Sequence, residues 1–184
     1  MRQHDTKQAL LDGARACLAR KGFASTTARD IAAASGANLR SIGYHYGSVK
    51  RLLTAALSEN FRTWLAPLIT ADEGHLASIE RLQEGLRLFS EQLPANGPLV
   101  RAWLEAVAMA QDDPELHQIL TQNQSWFREA LARTLVDAGS SEPERQAAAI
   151  ITTCDGLMVR YLLHGTIPTV TEIAHEAHAA LDQL

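Results

Sequence analysis

Two cysteines, Cys17 and Cys154, are too few for a framework of bridges or zinc knuckles, and a reducing cytoplasmic setting is expected. No long hydrophobic run is present. The most apolar stretch, residues 147–159, is short and carries Asp155, so no membrane span is expected. The start, Met1-Arg2-Gln3-His4-Asp5, lacks a hydrophobic export segment. Runs of alternating β-branched residues are missing, which argues against strands. Also missing are a glycine loop that cradles phosphate, a paired nucleophile and base, and a metal-ligand spacing. His175 and His178 stand three apart, which suits two surface histidines better than a metal site. Neither an enzyme, a cofactor nor a metal is therefore expected.

Helix-forming residues dominate instead. The 184 residues are 46% apolar and 21% charged, enough for a sizeable core and ordinary for a folded domain. The net charge of −4 conceals an asymmetry. Residues 1–60 hold nine Lys and Arg against four acids, whereas the remainder holds eight against seventeen. A basic start joined to an acidic remainder suits a polyanionic partner, although scattered solvated charge would look the same.

Leu10, Ala14 and Leu18 recur every fourth residue from Thr6 to Lys21, and Gly22 should stop that helix. Thr27 with Asp30 makes a variant capping box for a short helix whose buried side carries Ile31 and Ala34. Ser35-Gly36 breaks it, and Asn38 caps a second short helix with Ile42 and Tyr46 on one face. Gly47-Ser48 ends that helix, and Ser48 caps a longer one to about Pro67. Further helices are expected over about Leu76–Leu93, Pro98–Gln111, Asp113–Ala138 and Pro143–His164, closed by Gly165. A last one, capped by Thr169 and Glu172, runs to Leu184.

Two short helices around a glycine turn, residues 26–53, form a helix-turn-helix, whose second helix suits a DNA major groove. With Ile42 and Tyr46 pointing inward, Arg40, Ser41, Gly43 and Tyr44 fall on outer or flanking faces. Arg40 has the planar fork that matches guanine O6 and N7. Ser41, Tyr44 and His45 offer polar tips for phosphate or base. Gly43 weakens the helix by about 1 kcal/mol relative to alanine, which close approach of DNA would explain.

These residues resemble the tetracycline-repressor (TetR) family of bacterial transcription regulators. The resemblance covers about residues 6–60. It rests on Gly22-Phe23, Thr26-Thr27, Asp30-Ile31-Ala32, Ser35-Gly36, Ile42, Tyr44-His45-Tyr46, Gly47-Ser48 and Leu52-Leu53 at their spacing. It implies an all-α fold of about nine helices: a helix-turn-helix DNA-binding domain over 1–50, then a helical effector-binding and dimerisation domain over 51–184. It further implies a homodimer on a palindromic operator and a small-molecule effector, with Thr27, Arg29 and Lys50 joining the DNA-binding set. Two positions depart from the family pattern: Val49 stands where a phosphate-binding lysine is frequent, and Gly43 where a larger side chain is.

Few aromatics fall in the remainder, so their places matter. Trp64, Phe89, Trp103, Met109, Trp126 and Phe127 are candidate effector contacts, and each also suits plain core. Ile151, Met158, Tyr161 and Leu162, with Ile173, Ala177 and Leu181, give two helices apolar faces fit for dimerisation. The expectation is a DNA-binding regulator, a repressor released by its effector. An activator, a ligand-independent DNA-binding protein, and a helical enzyme or carrier remain alternatives.

Overall fold

The computed structural model describes residues 3–69 and 78–167. Seven α-helices account for the architecture of these residues: α1 (Gln3–Lys21), α2 (Ala28–Ser35), α3 (Leu39–Tyr46), α4 (Val49–Ile69), α5 (Ser78–Met109), α6 (Pro114–Asp137) and α7 (Pro143–His164). The fold is all-α, as expected. The expected helix from Thr169 lies outside the described residues, as do Ile173, Ala177 and Leu181.

Two expectations need correction. Ala34 is exposed, so the buried side of α2 rests on Ile31. Prolines 94 and 98 suggested two helices with a break between them, yet α5 runs continuously through both. Proline removes one N–H bond and crowds the preceding turn, at about 3 kcal/mol inside a helix. Both rings are exposed, while Phe89, Leu93, Gly97 and Val100 are buried at helical spacing through the same stretch. A continuous buried stripe overrides the local preference. Gly97 is required there by close approach, since a Cβ would stand 2.8 Å from the Tyr161 ring.

The chain divides into two compact units, Met1–Thr63 with Pro98–Ser125, and Trp64–Gly97 with Trp126–Leu184. In the first, Leu10, Ala14, Cys17 and Leu18 of α1 are fully buried together with Ile31, Leu52, Ala56 and Leu57. Asp113 accepts the Leu116 N–H at 3.0 Å and so caps α6, while Asn123 reaches across to the Ser58 hydroxyl of α4 at 2.5 Å. In the second unit, Trp64 stacks on Phe89 with ring centroids 4.4 Å apart. Phe127, Leu131, Leu135, Ile151, Leu157 and Met158 complete its buried set. Cys154 is buried too, and burial pushes its thiol up to about 12, so it behaves as a small hydrophobe rather than a nucleophile. Among the described residues no helix is long and apolar enough to cross a membrane.

Candidate nucleic-acid interface

The interface is built by short-range capping. Thr27 and Asp30 form a complete capping box: the Asp30 N–H donates to the Thr27 hydroxyl, and the Thr27 N–H donates to the Asp30 carboxylate at 3.0 Å. Lys21 adds an ion pair to Asp30 at 2.5 Å, tying the end of α1 to the start of α2. Gly36 then takes a left-handed φ of 65° and turns the chain. Asn38 accepts the Arg40 N–H at 2.9 Å and starts α3.

Asp30 gives a pH prediction. The Lys21 ammonium, aided by the Thr27 hydroxyl and N–H, holds this carboxyl well below its ordinary 3.8. A depressed carboxyl stabilises the fold above its unfolded pKa. That stability is lost as pH falls toward the lower folded value, so the loss begins below about pH 4. Asp30→Asn is expected to flatten the acid side of the melting-temperature profile. An unchanged acid limb would show that the box is not made in solution.

The faces of α3 separate cleanly. Ile42 is 3% exposed and anchors the helix in the core. Tyr46, half-buried on the same side, donates its hydroxyl to the Lys7 carbonyl at 3.0 Å. Opposite them, Arg40 is exposed and Tyr44 is 74% exposed, while Gly43, exposed, and Leu39, 47% exposed, lie along the edge beside the anchored face. Ser41 and His45 lie half-buried on the flanks, and the Tyr44 ring meets the His45 ring edge-on at 4.9 Å. Among the described residues no carboxylate pairs with the Arg40 or Arg29 guanidinium, and both side chains are exposed. The outer face of α3 is therefore polar and cationic, with donors suited to base edges and phosphate.

Two other predicted residues are engaged within the chain. The Thr27 hydroxyl belongs to the capping box. Lys50 forms an ion pair with Asp113, whose carboxyl it holds below the usual range. Beside it, Arg51 donates to Glu115 at 2.7 Å. Ser48 caps α4 by accepting the Arg51 N–H at 3.1 Å.

Sequence reasoning missed Glu105 and Leu39. Glu105, on α5, accepts the Phe23 N–H at 2.7 Å and the Ala24 N–H at 3.2 Å. It thereby fastens the turn between α1 and α2, and nothing local in the sequence signals it. Leu39, three residues before Ile42 and seven before Tyr46, reads by spacing as an anchoring residue, and only its exposure in the fold sets it apart.

The aromatic candidates are distributed between the units. Trp103, half-buried, tilts against Phe61 with centroids 4.9 Å apart, and Met109 is 40% exposed; both belong to the first unit. Trp64, Phe89, Trp126 and Phe127 belong to the second. A polar groove of about 500 Å³ lies in the first unit, lined by Arg51, Ser58, Glu115 and Asn123 among others, and none of the aromatic candidates borders it. On α7, Ile151 and Met158 are buried, Tyr161 is half-buried, and Leu162 is exposed alongside Val159 and Leu163.

Comparison with known proteins agrees with this geometry. The model of bacterial regulatory proteins of the tetR family matches residues 10–56, and the tetracyclin repressor-like C-terminal domain matches residues 77–184, more than half of the chain. Among curated proteins none matches. A chain from Pseudomonas aeruginosa has a similar structure, with a TM-score of 0.73, 20% identity, and coverage of 100% of this chain and 91% of that one. A TetR transcription regulator from Haloarcula marismortui gives 0.72 at 21% identity, covering 98% of both chains. The multidrug binding protein EbrR, solved with proflavin, gives 0.61 at 25% identity over 96% of this chain and 99% of that one. With family models matched at both ends and a cationic recognition face on α3, the chain belongs to the tetracycline-repressor family and is a DNA-binding transcription regulator rather than an enzyme.

Proposed function

We propose that the protein is a homodimeric repressor that leaves a palindromic operator when a small molecule binds. The observation that carries this is the outer surface of α3, where Arg40 and Tyr44 face solvent while Ile42 and Tyr46 hold the helix from behind. In the dimer, two such helices about 34–36 Å apart meet successive major grooves on one side of the duplex. The functional division is placed near residue 50, with 1–50 meeting DNA and 51–184 serving effector and partner subunit. Dimerisation is assigned to α7, through Leu162 with Val159 and Leu163, together with residues 173–181.

The effector is proposed to be an aromatic or apolar small molecule held in the second unit, where Trp64, Phe89, Trp126 and Phe127 lie. EbrR, bound to the planar aromatic proflavin, supports that ligand class. Release follows from differential affinity: effector prefers a form in which α4, which carries residues of both units, is tilted and the spacing of the reading heads is wrong.

Selecting bound duplexes from a random pool tests the proposal. The expected consensus is two-fold symmetric, with half-sites about one helical turn apart. An asymmetric consensus would remove the dimer from it. A second reading, a DNA-binding protein that needs no ligand, is favoured by the Trp64–Phe89 stack, because the two rings fill space with each other. Operator affinity that no aromatic ligand alters would decide for that reading.

A further inference from the structure

Along the exposed edge of α3, beginning at its first turn, stand two features that Arg40 and Tyr44 leave unexplained. Leu39, the first residue of the helix, is 47% exposed. Four residues on stands Gly43, where no atom beyond its chain neighbours and the backbone of its own helix comes within 4 Å of the place a Cβ would take. Gly43 is not among the glycines with positive φ. Neither backbone conformation nor internal crowding asks for glycine here, and alanine would make the better helix. A glycine that the fold does not require leaves the helix backbone open to close approach from outside the chain.

Residues four apart on a helix are neighbours, so Leu39 and Gly43 form one small apolar patch with a notch, bordered by Arg40 and Tyr44. The major-groove edges of the bases carry one apolar group among their polar atoms, the 5-methyl of thymine. We infer that Leu39 packs on a thymine 5-methyl in each half-site, and that Gly43 lets that base edge approach the helix closely. This rests on α3 entering the major groove. Leu39 and Gly43 are then specificity-determining residues, and a thymine is required where they meet the operator.

The test uses the full chain and an operator selected from random duplexes. Each thymine in turn is replaced by deoxyuridine, which removes only the methyl group, and affinity is measured by fluorescence anisotropy at one salt concentration. Wild type is expected to lose about fourfold at one thymine per half-site, the worth of one buried methyl, and about the square of that when both half-sites are changed. Leu39→Ala, which removes the side chain from both subunits, is expected to bind the thymine operator more weakly by at least the factor seen when both half-sites are changed, and to be indifferent to deoxyuridine at that place. Its melting temperature should match wild type, because the side chain is exposed. Gly43→Ala is expected to melt higher than wild type and yet bind the operator more weakly.

Specific binding with no thymine methyl that matters, or an equal methyl effect in wild type and Leu39→Ala, overturns the inference while leaving DNA recognition by α3 intact. Gly43→Ala binding as tightly as wild type overturns the part assigned to the glycine. If no duplex is selected at all, both the inference and the placement of α3 in the groove fall.

Discussion

Gly22→Ala is expected to destabilise the protein by about 2–4 kcal/mol, although the added group is a single methyl. Two independent effects meet at this residue. Its φ is +81°, a left-handed conformation that costs an alanine about 1–2 kcal/mol. A Cβ there would also stand 2.4 Å and 2.6 Å from the two carboxylate oxygens of Glu105. The Glu105 side chain can swing away, but only by giving up its bonds to the Phe23 and Ala24 N–H groups. Hydrogen bonds to a charged group contribute about 1.5–3 kcal/mol each when intact, and less where water can replace them, as at Ala24.

The two effects separate in a double-mutant cycle. In a Glu105→Ala background the steric part of Gly22→Ala disappears and only the conformational part remains. The double variant should therefore be more stable than the two single losses predict, by about 1–2 kcal/mol. Urea unfolding at one fixed protein concentration measures this, since a dimer's apparent stability depends on concentration. Additive losses would mean that Glu105 does not rest on the turn in solution.

The second large effect concerns recognition. Arg40→Ala is expected to weaken specific operator binding by about 1–3 kcal/mol and to relax the preference at one base position. Its guanidinium is exposed on the outer face of α3, so its removal leaves folding almost unchanged. Lys50 makes the informative contrast. A lysine that touched phosphate would, when removed, lower affinity for all sequences alike and reduce the salt slope by about one. Lys50 is instead paired with Asp113, so Lys50→Ala should leave the salt slope at its wild-type value. A flattened slope would place Lys50 on the phosphate backbone after all. Comparing both variants across a salt series, on specific and scrambled duplexes, separates base reading from charge.

Much of the recognition element is legible in the sequence, because its determinants act within a few residues. The Thr27–Asp30 box spans three residues, the Asn38 cap two, and the spacing of Ile42 and Tyr46 sorts α3 into an anchored and an open face. The turn at Gly36 and the stop at Gly22 follow from positive φ, which glycine alone adopts freely. The end of α7 at Gly165 was legible for the same reason.

Position on the outer face was therefore readable, while engagement with distant partners was not. Glu105 and Phe23 stand 82 residues apart, and Lys50 and Asp113 stand 63 apart. No local pattern marks either pair, since each becomes adjacent only when α5 and α6 pack beside the reading head. The unbroken course of α5 through Pro94 and Pro98 was likewise decided by burial along its stripe, against the local preference of proline. Helices, caps and the two faces of α3 belong to the sequence alone, because hydrogen bonds and periodicity over one turn specify them. Which charges are engaged, and what braces the turn before α2, belong to tertiary packing, because only the folded chain brings those groups within reach.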